Sequence, residues 1–484
     1  MVIKRLPAGH KPYIRVLFFA KARICELTTL ESLTSMKKIL VIGAGRSSSS
    51  LIRYLLDHSD KENWKIKVGD RDLELAQQKT NGHPNAEAFQ FNALDEEARK
   101  AELKDCDFVI SMLPARFHVE VAKDCIAFGI DVITPSYVTE EMKELDQAAR
   151  DAGVIIMNEI GVDPGIDHLS AKKVLDEIEE MGGEMTCFES FTGGLIAPES
   201  DNNPWNYKFT WNPRNVVLAG QGGAAKFIQA HNYKYIPYNR LFRRTEIIKI
   251  DGYGKFEGYA NRDSLKYREI YGLHDIPTIF RGTFRRVGFC RAWNYLVQLG
   301  MTDDSYVLED SANMTYRDFT NSFLPYHRTD SVELKFRYNM RIDQDDAIWD
   351  KLEWLGIFEE KKIGLVGATP AQILQHILEE KWSLNEDDKD MIVMWHKFGF
   401  KLNGEDREIQ SSMVYIGEDQ TYTAMSDTVG LPVAICSRLI MNGTIKSKGV
   451  QLPITREIYE PVLAELKTYG IEFKEKELAE PMVY

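Results

Sequence analysis

Cysteine is scarce in this 484-residue sequence, and none is paired by spacing. The six, Cys25, Cys106, Cys125, Cys187, Cys290 and Cys436, lie far apart with no CxxC or Cys/His pattern. That argues against a zinc site and for reduced thiols in the cytoplasm. No uninterrupted apolar run approaches the roughly 18 residues that a membrane span requires, so no membrane partner is expected. Cationic excess is missing too: 60 Lys and Arg stand against 73 Asp and Glu, a net charge of −13. A polyanion such as DNA is repelled on average, which disfavours nucleic acid as a partner. Internal repeats and low-complexity tracts are absent as well. What remains is ordinary globular usage, 44% hydrophobic and 27% charged, which excludes disorder, collagen and coiled coil. The length implies two or three domains.

Residues 1–35 carry six basic side chains (Lys4, Arg5, Lys11, Arg15, Lys21, Arg23) and two acids (Glu26, Glu31). Their apolar stretch, Val16–Ala20, is too short for a signal-peptide core. An over-extended start, a basic arm and an organelle transit peptide all fit, with the first preferred because Met36 opens MKKILVIGAG.

From Met36 the chain alternates compact apolar runs with helical spacing. Ile39–Ile42, Lys65–Val68, Ala88–Phe91, Phe108–Met112, Asp131–Thr134 and Val154–Met157 read as buried parallel strands. Between them Leu51–His58, Asp72–Lys79, Glu96–Leu103, His118–Phe128 and Glu140–Asp151 read as helices, the last capped by Thr139. This alternation predicts an α/β fold, a Rossmann-type doubly wound parallel sheet.

The first strand runs into Gly43-Ala44-Gly45-Arg46-Ser47-Ser48. Two glycines permit the tight turn and the approach of backbone N–H groups to a pyrophosphate at a helix N-terminus. The second strand ends on Asp70, 25 residues after Gly45, where an acid accepts hydrogen bonds from the adenosine ribose. Asp70 favours NAD. Arg71 beside it keeps NADP open, since a guanidinium there holds a 2′-phosphate.

Beyond Asp151 the pattern changes. Asn158–His168 packs two glycines, a proline and four ionisable groups into eleven residues at the end of the last parallel strand, where open α/β sheets place ligands. Asp163 is the stronger candidate there and His168 the weaker, ahead of a helix at Leu169–Glu180. Residues 190–211 read as an ordered loop. Tyr259–Ser264 and Arg281–Arg286 concentrate guanidinium groups in turn-like sequence, suited either to carboxylate recognition or to surface ion pairs. From Tyr316 to Trp382 the chain is helical and charge-rich. Ser426–Asn442 is an apolar helix expected to pack back onto an earlier domain.

Seven ordered segments, VISMLPARFH (109–118), TPSYV (134–138), NEIGVDPGIDH (158–168), TGGLIAPES (192–200), NPWNYKFTW (203–211), NRDS (261–264) and RGTFR (281–285), resemble the L-glutamate-forming saccharopine dehydrogenases. The resemblance runs from Met36 to VGLPVAI near the C-terminus. It implies a nucleotide domain at 36–158 completed by about 425–450, and an α/β substrate and dimerisation domain at 159–315 and 390–424. A small helical insertion at 316–389 and a C-terminal segment at 451–484 complete that division. It also implies a homodimer that interconverts saccharopine with L-glutamate and 2-aminoadipate 6-semialdehyde through an imine and a nicotinamide cofactor.

Carried over by position, the resemblance puts the phosphate loop on Ala44, Gly45, Arg46 and Ser47 after Gly43, and the ribose end on Asp70 and Arg71. It puts the adenine side on Asn92, and the nicotinamide side on Met112, Leu113 and the Val162–Pro164 turn. Substrate contacts fall on Ser136, Tyr137, Asp163, Arg262, Thr283, Phe284 and Arg285. Thr192 stands where fungal relatives carry a cysteine, so thiol chemistry is not needed there. The fungal NADP enzymes place a small residue at the position of Asp70, whereas the animal NAD form places an acid in this turn. NAD is therefore expected, with NADP as the alternative. Saccharopine carries three carboxylates and a secondary amine. Arg262 and Arg285 supply cations for the former, Asp163 a counter-charge for the latter, and Tyr137 or Asp163 a group to move protons. Two other readings remain: a related carboxynorspermidine or homospermidine-type dehydrogenase, and a non-catalytic dinucleotide sensor.

Overall fold

The computed structural model describes residues 36–478, so the readings of residues 1–35 lie outside the described residues. The first sheet is built from β1 (Lys37–Ile42), β2 (Trp64–Asp70), β3 (Ala86–Gln90), β4 (Phe108–Ser111), β5 (Asp131–Ile133) and β6 (Ile155–Met157). A seventh strand, β15 (Gly449–Gln451), joins it from far down the chain, giving the order β15-β6-β5-β4-β1-β2-β3. Every pairing is parallel. Burial on both faces is near complete in β4, β5, β6 and the second half of β1, which read as continuous apolar runs. By contrast, β2 alternates buried and half-buried residues, and the edge strand β3 is only partly covered. In β1, Ile39 and Val41 join one buried cluster and Leu40 and Ile42 the other.

The helix expected at Glu140–Asp151 is two, Glu140–Lys143 and Asp146–Ala152. The break falls where Asp146 turns to accept the Val450 N–H at 2.8 Å, tying the helix to β15. The apolar helix expected at Ser426–Asn442 spans Ala424–Met441. It is long and apolar enough to cross a membrane, yet most of it is buried inside the protein, against the helix Ser49–Glu62 that follows the glycine loop.

The second sheet comprises β7 (Glu184–Ile196), β8 (Ala225–Gln229), β9 (Asn232–Ile236), β10 (Thr245–Ile250), β11 (Gly254–Ala260), β12 (Thr278–Arg286), β13 (Asp390–Leu402), β14 (Glu405–Ile416) and β16 (Lys474–Leu478). Its main path runs β10-β11-β12-β7-β13-β14-β16, with β8 and β9 attached beside β12. Two sequence expectations fail here. Residues 190–196 are the second half of β7 rather than loop, and Arg281–Arg286 is strand rather than turn. In both, glycines sit inside the strand because neighbours need the room: an added Cβ at Gly282 would lie 2.2 Å from the Phe191 ring. The helices expected between Tyr316 and Trp382 are present and share one buried cluster with this sheet.

Candidate functional site

The nucleotide end is formed where β1, β2, β3 and β4 finish. Gly43 has φ +106°, and a Cβ there would lie 3.0 Å from the Met112 carbonyl oxygen, so the turn demands glycine. Its N–H donates to Gly69 O at 2.8 Å, pinning the loop to β2. At Gly45 an added Cβ would meet nothing within 4 Å, which leaves the open side that a phosphate approach needs. Ala44, Arg46 and Ser47 complete the turn, with Arg46 exposed. Asp70 is held tightly: Oδ2 accepts the Ala44 N–H at 2.7 Å and Oδ1 the Asp72 N–H at 2.9 Å. Arg71 is exposed, as is Asn92 at the end of β3. Met112 and Leu113 follow β4 at the same edge. This is an open cradle with donors at one end and a carboxylate beside a guanidinium at the other, and it fits a nicotinamide dinucleotide.

Next to it a cleft of ≈ 760 Å³ lies between the two sheets, walled on one side by Tyr137, Val138, Lys143 and Glu159 and on the other by Arg262, Lys266, Tyr267 and Arg281. Six of the expected residues lie in or beside this cleft. Tyr137 Oη donates to Asp163 Oδ1 at 3.4 Å, and the Arg262 guanidinium stands 6.0 Å from the Tyr137 ring. Ser136 lies just behind, its hydroxyl 2.8 Å from His118 Nε2. Val162 and Pro164 flank Asp163 and are buried. Desolvation of the Tyr137 hydroxyl, with Asp163 close by, raises its pKa, so it is a neutral donor even though the ring edge is exposed. Arg262 has a left-handed backbone, φ 45°, and forms no salt bridge with a carboxylate among the described residues.

The residue that organises this cleft is Arg281, which the sequence places in the arginine-rich run Arg281–Arg286 but which is not among the expected site residues. Its Nη2 donates to Asp163 Oδ1 and to Asp167 Oδ2, both at 2.6 Å, and its guanidinium sits 3.8 Å from the centre of the Tyr267 ring. Burial pulls its pKa down, but the phenol and carboxylates around it reverse this, and the net shift is upward.

Two expected contacts, Phe284 and Arg285, are placed differently. Because β12 is a strand, Arg281, Thr283 and Arg285 share one face while Phe284 points to the other. There Phe284 is fully buried, stacked on Phe191 at 5.2 Å, so its side chain does not reach the face of Thr283. Arg285 is 4% exposed and does not line the cleft. The rings of Tyr207, Tyr259 and Phe289 enclose its guanidinium at 4.9, 5.7 and 5.2 Å. Its Nη1 donates to Phe284 O at 2.8 Å, and Nε has no partner among the described residues. Thr192, beside Thr283 in register, also buries a hydroxyl with no hydrogen-bond partner among the described residues. Glu257, opposite Arg285 in register, acts on its charge without forming a salt bridge to it, so the guanidinium keeps hydrogen-bonding capacity that a substrate carboxylate would satisfy.

Comparison with known proteins follows the same division. Residues 39–157 match the saccharopine dehydrogenase NADP binding domain and residues 161–471 the saccharopine dehydrogenase C-terminal domain. The chain is 35% identical over 454 residues to saccharopine dehydrogenase [NADP(+), L-glutamate-forming] of Pyricularia oryzae, covering 92% of this chain and 99% of that one. It is 33% identical over 470 residues to the mitochondrial alpha-aminoadipic semialdehyde synthase of Mus musculus, covering 95% of this chain and 50% of that one. The chain thus spans half of the animal protein and nearly all of the fungal one. The solved apo saccharopine dehydrogenase (L-Glu forming) from Saccharomyces cerevisiae superimposes with a TM-score of 0.83 at 33% identity, over 92% of this chain and all of that one.

Proposed function

The chain belongs to the saccharopine dehydrogenase family, and on that premise we propose that it interconverts saccharopine with L-glutamate and 2-aminoadipate 6-semialdehyde. It is an oxidoreductase with a nicotinamide cofactor, which when bound supplies the two-electron exchange. The observation that carries the substrate is the charge layout. Asp163 and Arg281 form an ion pair at the cleft, and among the described residues neither Arg262 at its rim nor the ring-enclosed, buried Arg285 has a salt-bridge partner. A molecule with three carboxylates and one amine is complementary to that arrangement. Asp163 faces the amine, and Tyr137 holds a proton within reach of it for carbinolamine breakdown.

The sequence reading prefers NAD through Asp70; we propose NADP. Both Asp70 oxygens are already engaged by backbone donors, the exposed Arg71 follows directly at the end of β2 with its guanidinium available for a 2′-phosphate, and the fungal relatives are named for NADP(+). A cytoplasmic homodimer completes the proposal, with Tyr235 and Ile247, exposed on β9 and β10, as apolar surface for the second copy.

The test is addition of saccharopine with NADP⁺ or NAD⁺, following reduced cofactor by absorbance and glutamate by chromatography. Formation of both, faster with NADP⁺, is expected. No turnover with either cofactor would overturn the assignment.

A further inference from the structure

One buried residue ties the two walls of the cleft together and has no role in the reading above. Glu159, in the loop after β6, holds a left-handed backbone, φ 56°, a conformation that costs a residue with a side chain and persists where surroundings enforce it. Its surroundings act in two directions. The Glu159 N–H donates to Ser136 O at 3.0 Å and its Oε1 accepts the Val138 N–H at 2.9 Å. Both chain neighbours of Tyr137 therefore hang on this one residue. In the other direction Oε2 meets His168 Nε2 at 2.8 Å, and His168 Nδ1 meets the Tyr271 hydroxyl at 2.9 Å.

The second arm returns to the site. His168 is fully buried, and its ring stacks on Tyr267 at 5.7 Å. Tyr267 carries the Arg281 guanidinium, which grips Asp163. Glu159 thus reaches Tyr137 through the backbone on either side of it, and Asp163 through His168, Tyr267 and Arg281. The two partners of the Tyr137–Asp163 contact are set from one point.

We propose that Glu159 and His168 are positioning residues for the reaction, a carboxylate–imidazolium pair that sets Tyr137 against Asp163. The charges around His168 support the protonated form. Glu159 comes from the loop after β6, Asp167 from its own helix, Arg281 from β12, and Tyr267 and Tyr271 from the helix Lys266–Tyr271. With Asp163, a neutral His168 leaves three carboxylates against one guanidinium. Protonation brings two cations against three anions, and the substrate amine completes the balance. Burial pulls the His168 pKa down, but Asp167 and Glu159 outweigh it and the net shift is upward. Activity is therefore expected to fall as pH rises through the His168 pKa.

This inference rests on the saccharopine reading for its assay, so the experiment has two independent readouts. Glu159→Gln keeps the size and removes the charge. We expect kcat for saccharopine oxidation to drop at least about tenfold, with KM and cofactor Kd within about threefold, and the alkaline limb of kcat to move to lower pH. The His168 side-chain ¹⁵N signal, identified by its loss in His168→Gln, should titrate at correspondingly lower pH. Unchanged kcat and an unchanged limb overturn the proposal. Should Glu159→Gln fail to fold, Tyr271→Phe removes only the far partner of His168, and the same acidward movement of the limb is expected at constant KM; no movement overturns it. If the wild-type protein turns over no saccharopine, the substrate reading falls. The pair is then judged by the ¹⁵N titration alone, where no shift in the folded variant used overturns it.

Discussion

Arg262 and Arg285 meet their surroundings in opposite ways, one exposed at a rim and the other enclosed by aromatic rings, yet neither has a salt-bridge partner among the described residues. A lysine in either place keeps the charge and loses the planar fork that grips a carboxylate. Arg262→Lys and Arg285→Lys are each expected to raise the saccharopine KM about tenfold or more, with cofactor Kd unchanged; steady-state kinetics with near-normal KM in both would remove them from the site. Arg71→Ser is expected to raise the NADP KM by a similar factor while leaving that for NAD nearly as it was, and an equal loss for both cofactors would place Arg71 away from the 2′-phosphate. At this scale the glycine loop, Asp70 and Asp163 were legible because their spacing from strand ends carries the information. Arg281 was not, since a buried arginine between two carboxylates 114 and 118 residues upstream is set by tertiary packing alone.

Among the elements, the six strands and most of the crossing helices could be read from the sequence: β1, β4, β5 and β6 as apolar runs buried on both faces, and the partly exposed β2 and β3 from the helix–strand alternation around them. β12 could not. Its sequence, TIFRGTFRR, interleaves arginines with apolar residues, and that alternation resembles exposed turn sequence until the sheet face is known to be polar and buried. The helix Ala424–Met441 was visible from composition, and its partner became clear only in three dimensions. Gly430 is the point of closest approach: an added Cβ would lie 2.7 Å from the Leu51 backbone nitrogen. Gly430→Ala should push this helix off Ser49–Glu62, costing about 1–3 kcal/mol by urea denaturation. Because Leu51 lies only a few residues beyond the phosphate loop, cofactor affinity should weaken too. Unaltered stability and affinity would mean that the helices part without disturbing the turn.

For the molecule as a whole, two buried histidines, His118 and His396, contribute to acid sensitivity. Burial pushes His118 down to about 4 and His396 down to about 3, while the unfolded chain keeps both near 6.5. Each therefore contributes stability that is present above pH 6.5 and is lost as pH falls toward the folded value, because the unfolded state takes up the proton first. His396→Gln should remove one such contribution. The stability advantage of wild type over this variant, measured by denaturant melts, is expected to shrink steadily between pH 7 and pH 4; a constant gap would show that His396 does not titrate differently on unfolding.

The late strands have a consequence during synthesis. β15 closes the edge of the first sheet beside β6, and the helix Ala424–Met441 covers an apolar face formed almost four hundred residues earlier. At about 5–20 residues per second, a ribosome takes on the order of tens of seconds between releasing β6 and releasing β15. Through that interval the nascent first sheet carries a bare strand edge at β6, and the apolar face of the helix Ser49–Glu62 lacks its cover, so both are open to misassociation until the C-terminal elements emerge.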